Sequence, residues 1–68
     1  MEAGWTKIYT TDKPYQADIL IELLNENNIL GVSVNKKDSS YIAFGEDEVY
    51  VKDEDTENAK IIINSSGL

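Results

Sequence analysis

Hydrophobic and polar positions change rhythm repeatedly along this chain, and each change marks an element. Trp5-Thr6-Lys7-Ile8-Tyr9-Thr10 alternates with period two and is rich in β-branched and aromatic residues, which predicts a strand. From Tyr15 onward the period lengthens. Ala17, Leu20, Ile21 and Leu24 recur at helical spacing, Ile19 and Leu23 broaden the stripe, and Asp18, Glu22, Asn25 and Glu26 fall largely opposite. Thr11-Asp12-Lys13-Pro14 suits the start of this helix, since Thr11 or Asp12 can accept from free amides and proline is tolerated in the first turn. Asn27-Asn28 suits its end, because asparagine tolerates the left-handed conformation that closes a helix.

Ile29 to Asn35 alternates again, with Leu30, Val32 and Val34 on one face and Gly31, Ser33 and Asn35 on the other. Lys36-Lys37-Asp38-Ser39-Ser40 is polar and turn-like, and Tyr41-Ile42-Ala43-Phe44 is a short apolar run that Gly45 ends. Glu48-Val49-Tyr50-Val51-Lys52 predicts a third strand. Asp53 is then placed to cap a final helix whose first turn carries Glu54, Asp55 and Glu57, the acidic loading a helix dipole favours. Ala59, Ile62 and Ile63 form its inward stripe with Ile61 alongside, and Gly67 suits its end.

The order is βαββα. A strand–helix–strand unit crosses over right-handed and leaves its two strands parallel. The third strand then returns between them, antiparallel to both. The expected fold is α+β: a two-layer sandwich, a truncated ferredoxin-like plait with sheet order 1-3-2 and both helices on one face. It fills 1–68 as a single small domain, with an ordered core over about 5–66.

This pattern assigns surfaces. Ile8, Leu30, Val32, Val34, Val49 and Val51 are expected to face the helices. Trp5, Lys7, Tyr9, Gly31, Ser33, Tyr50 and Lys52 are expected on the other side, where only residues 36–47 remain to cover them. Three aromatic residues interleaved with lysines make the best candidate for a working surface, because aromatic side chains bury large area at low entropic cost. The partner-binding candidates are therefore Trp5, Lys7, Tyr9, Tyr50 and Lys52, with Tyr41 and Phe44 from the following segment. The competing expectation is that Tyr41, Ile42 and Phe44 fold over these aromatics as a second small core.

Composition narrows the functions. A chain of 68 residues buries only roughly 60% of its unfolded surface, and with one small core self-association would be a natural supplement. There is no histidine or cysteine, so neither a disulfide nor a His/Cys metal site is expected. The net charge of −7 with no arginine argues against nucleic acid and against an anionic membrane surface. No basic, apolar leader follows Met1, and no apolar run approaches the ~20 residues needed to cross a bilayer, so a cytoplasmic location is expected.

The chemistry is thin. Ser39-Ser40 lacks a histidine base, and no Ser-x-x-Lys spacing occurs. The carboxylates of Glu46-Asp47-Glu48 and Asp53-Glu54-Asp55 sit where solvation and helix capping explain them. Asp53, Asp55 and Glu57 imitate the start of a calcium loop, but Asn58 and Asn64 occupy its required glycine and glutamate positions. No catalytic residue, metal ligand or cofactor is assigned.

Trp5 through Tyr9, Ala17 with Leu23-Leu24, Asn28-Ile29, and Val49-Tyr50-Val51 followed by acids, Ala59 and paired isoleucines together resemble a known family. It is the small bacterial "putative signal transducing protein" domain of unknown function. The resemblance spans roughly residues 5–64 and implies a plait related to the nitrogen-regulatory PII-like group. It suggests signalling and transfers no catalytic residue. Where that family commonly has a glycine before the second strand, this chain has Asn28. The PII likeness is one of fold and assigns no nucleotide ligand. The functional expectation is a non-catalytic binding or regulatory module contacting a protein partner, or a second copy through the edge of the first strand. The alternative is a small-molecule sensor for an anion or nucleotide, using a pocket between residues 36–47 and the sheet.

Overall fold

The computed structural model describes residues 3–35 and 46–68. Strand β1 runs Trp5–Thr11, helix α1 Pro14–Glu26, strand β2 Gly31–Asn35, strand β3 Asp47–Lys52 and helix α2 Thr56–Ser66, with a 3-10 turn at Asp53–Asp55 leading into α2. The sheet order is β1-β3-β2, and β3 is antiparallel to both neighbours. The α+β plait with βαββα order is as the sequence predicts.

Local chemistry sets the ends of α1. Thr11 is buried at the end of β1, its hydroxyl donating to Gln16 Oε1 at 2.7 Å and accepting from the Lys13 amide at 3.1 Å. Thr11 therefore ties β1 to the first turn of α1; Asp12 takes no part in that bond, and Pro14 begins the helix. At the far end Asn28 adopts a left-handed φ of 63°. The Ile29 amide reaches back to the Leu24 carbonyl at 2.9 Å and the Asn28 amide to that of Asn25 at 3.0 Å. This is a Schellman closure, which brings the residue after the left-handed position against the last turn of the helix. Ile29 and Leu24 accordingly join one core with Ala17, Leu20, Val49, Val51 and Ala59.

That closure decides the orientation of β2. Ile29 points inward, so Gly31 is the next inward position. A Cβ on Gly31 would lie 2.8 Å from Leu24 Cδ1 and 3.1 Å from Ile21 Cδ1. The strand register agrees, since Gly31 and Ser33 stand opposite the buried Val51 and Val49, while Val32 and Val34 stand opposite Tyr50 and Glu48. The expectation that Leu30, Val32 and Val34 face the helices is therefore corrected. Leu30 is exposed, and the two valines lie on the sheet face away from the helices. At Gly31 the close approach of Leu24 and Ile21 favours a small residue, which hydrophobic alternation alone does not reveal.

A second irregularity affects β1. Lys7 pairs with Tyr50 and Tyr9 with Val49, so Ile8 is an extra residue, a β-bulge. The bulge shifts the alternation. Ile8 and Tyr9 both pack against the core, whereas an unbroken strand would send them to opposite faces.

Helix α2 buries Ala59 and packs Ile62 and Ile63 against the same core; Ile61 is exposed, and Gly67 closes the helix with a left-handed φ of 81°. Asp53 does not cap this helix. Its amide donates to the Gly4 carbonyl at 2.8 Å and its carboxylate accepts from the Thr6 hydroxyl, so it pins the 3-10 turn to β1.

The Gly31 contact generates a stability prediction. Replacing glycine by alanine in an ordinary strand conformation would gain about 0.4–1 kcal/mol by restricting the unfolded chain. Here an added methyl meets a fully buried leucine, and overpacking costs about 1–3 kcal/mol. Gly31→Ala is thus expected to lower the urea midpoint, whereas Ser33→Ala, at an exposed position one pleat further along, should shift stability by no more than about 0.5 kcal/mol. Unchanged or higher stability in Gly31→Ala would contradict the close approach.

Candidate interaction surface

The three strands place a defined set of side chains on the sheet face away from both helices. From β1 come Trp5 and Lys7, opposite Lys52 and Tyr50. After the bulge Thr10 joins them, opposite Glu48. From β2 come Val32 and Val34, and from β3 come Glu48, Tyr50 and Lys52. Trp5, Val32, Val34 and Tyr50 are each half-buried. Four apolar or aromatic side chains thus share one face with two lysines and a carboxylate.

Of the residues expected on this face, Trp5, Lys7, Tyr50 and Lys52 are brought together there. Tyr9 is not. Its position opposite the fully buried Val49 puts it on the helix side, where it packs against the core. The cause is the Ile8 bulge, which reverses the alternation between Lys7 and Tyr9. Tyr41 and Phe44 lie outside the described residues, as does most of the 36–47 segment of the sensor pocket. Val32, Val34 and Glu48 were not anticipated on this face. The signal that would have placed the valines is the pair Asn28-Ile29, whose helix-closing role fixes Ile29 inward and Val32 outward.

Glu48 organises the polar part. It is only 8% exposed, accepts a hydrogen bond from the Tyr50 hydroxyl at 2.9 Å on Oε1, and holds Lys7 Nζ 3.5 Å from Oε2. An ion pair with one well-solvated partner contributes little to stability, so its main effect is positional. It holds the phenol of Tyr50 and the ammonium of Lys7 to one carboxylate across adjacent strands. The hydrogen bond to Glu48, then burial, then the carboxylate's charge all favour the neutral phenol and raise Tyr50 above its ordinary value of 10.0.

Among the described residues, no group of three or more His, Cys, Asp or Glu is arranged to hold a metal ion, and no helix is long and apolar enough to cross a membrane.

The sequence profile of a family described as "Putative prokaryotic signal transducing protein" matches residues 5–67. The chain belongs to this family. The match takes in all three strands and both helices, hence the whole of the surface described above. The family description points to signal transduction and names no ligand, partner or reaction. Comparison with curated proteins and with solved structures gave no match.

The Tyr50–Glu48 bond sets a pH expectation. A folded-state phenol value above the unfolded one means the folded chain holds that proton more tightly. The resulting stability is complete below the ordinary tyrosine value and is lost as pH rises through the folded-state value. The tyrosinate absorbance that disappears in Tyr50→Phe should therefore titrate above pH 10, and Glu48→Gln should return it toward the ordinary value. A Tyr50 titration unmoved by Glu48→Gln would refute the coupling.

Proposed function

We propose that this domain is a non-catalytic signalling module that captures a protein partner on the sheet face away from its helices. The observation that carries the proposal is the β2 register, which with Gly31 facing Leu24 leaves Val32 and Val34 outward on the face of Trp5 and Tyr50. Neither helix of the domain covers that face. A face that carries Tyr50 on the central strand, Trp5 on an edge strand and two valines fits protein recognition, where tryptophan and tyrosine carry much of the binding energy. Lys7 is oriented by Glu48, and Lys52 stands at the other end beside Trp5. These two cations favour a partner with an apolar patch bordered by acidic groups.

The non-enzymatic reading is supported by the inventory. The chain has no histidine and no cysteine, and the one buried carboxylate on this face, that of Glu48, is engaged by Tyr50 and Lys7. A distinct partner is favoured over a second copy paired along β1, because the Ile8 bulge breaks the regularity that edge-to-edge pairing needs. The family description agrees with a signalling role.

The test compares Trp5→Ala, Val32→Thr and Tyr50→Ala with the parent chain in affinity capture from native lysate, with circular dichroism as the fold control. The proposal expects a specific partner to be lost from all three variants while their helical signal persists. Tyr9→Ala should instead lower thermal stability, since that ring packs on the core. Equal capture by all variants would overturn the proposal. Unfolding of the Trp5 and Tyr50 variants would show that these rings serve a second small core.

A further inference from the structure

The helix layer carries an apolar surface of its own, on the side opposite the sheet. Tyr15 and Ile19 lie one turn apart on α1 and are 59% and 44% exposed, and Leu23 continues the row. Across from them Ile61 of α2 is 61% exposed. Between the two helices runs an open groove. It has a volume of about 300 Å³ where Asn27, Asn58, Ile61 and Ile62 meet, and a contiguous part of about 380 Å³ continues past Leu23 and Ser65. Its walls combine aliphatic side chains with uncharged amides and hydroxyls.

The charge around one end of this groove is of one sign. The βαββα order makes α1 and α2 antiparallel, so the C-terminus of α1 lies beside the N-terminus of α2, as Asn27 and Asn58 lining the same hollow also requires. Glu22 and Glu26 stand at the end of α1, and Glu54, Asp55 and Glu57 at the start of α2. The acids of α2 complement its dipole. Glu26 opposes that of α1, whose last turn has no basic residue. No ion pair engages Glu22, Glu26 or Glu57 among the described residues.

We infer that the groove between α1 and α2 docks a basic amphipathic segment of a partner protein. Apolar residues at helical spacing enter between Leu23 and Ile61, and lysine or arginine side chains meet Glu22, Glu26 and Glu57, the helix-in-groove mode of recognition. A second copy of this chain does not supply that complement, because it has 13 acidic residues against six lysines and no arginine. The site lies on the layer opposite the proposed sheet-face contact and does not depend on it.

The probe is a synthetic amphipathic peptide of about 16 residues, with leucines at i, i+3/i+4 and i+7 and lysines elsewhere, titrated into the 15N-labelled full chain. Amide shifts are expected at Leu23, Asn27, Asn58, Ile61 and Ile62. Affinity should fall about tenfold in the Glu22→Lys/Glu26→Lys variant. It should be unchanged in Glu46→Lys, an exposed charge reversal at the opposite end of the domain. The same peptide with glutamate in place of lysine should not bind. The inference is overturned by shifts centred on Trp5 and Tyr50, by equal binding of the glutamate peptide, by equal weakening in Glu46→Lys, or by the absence of any saturable shift. Sedimentation showing a dimer, with groove amides broadened by self-association alone, would also overturn it. Loss of capture on the sheet face leaves this test untouched, so the two proposals fail separately.

Discussion

Helix α1 approaches β2 so closely at Gly31 that a methyl group there would sit 2.8 Å from Leu24 Cδ1, and that contact marks which way the whole strand faces. Side chains alternate strictly along a strand, so fixing one position fixes every other. Ile29 is drawn inward by the helix closure at Asn28, Gly31 opposite Val51 faces the side chains of Leu24 and Ile21, and Val32 and Val34 must then point away. The cause is backbone geometry and close packing, acting against the simplest hydrophobic assignment.

The consequence is a domain that divides its apolar residues between two faces. The helix side holds a compact core in which Leu20, Leu24, Val49 and Val51 are fully buried, each worth roughly 1.5–3 kcal/mol relative to exposure. The other side holds Trp5, Val32, Val34 and Tyr50 around the Glu48 carboxylate. A small domain would be expected to bring all its large aliphatic side chains into one core. Placing two valines on the second face lowers the stability available from folding and leaves apolar area on the face proposed for partner contact.

Much of this architecture was legible in the chain itself. Pro14, the Ala17-Leu20-Ile21-Leu24 stripe, Asn27-Asn28 and Gly67 locate the helices, and the βαββα order with right-handed crossover predicts the 1-3-2 sheet. The surface was legible only in part. Val32 and Val34 satisfy period two on either face, and the deciding information lay in Ile29 and Gly31, through the third dimension. Likewise Trp5, Lys7 and Tyr9 read as one face until Ile8 is seen to be inserted; two adjacent bulky apolar residues, Ile8-Tyr9, were the local hint. Asp53 resembles an ordinary helix cap, and its bond to Thr6, 47 positions away, has no signature in local sequence.

The two surfaces proposed for contact lie on opposite layers of the domain. Both derive from how α1 settles on the sheet, which makes the direction of the β2 valines the most direct thing to measure. Methyl-selective NOE spectroscopy on a sample labelled at valine and leucine, with protonated tyrosine, reads it without perturbing the fold. The account predicts cross-peaks from Val32 methyls to the ring of Tyr50 and none from Val32 or Val34 to Leu20 or Leu24. Cross-peaks from those valines to the leucines of α1, with Tyr50 silent, would contradict it.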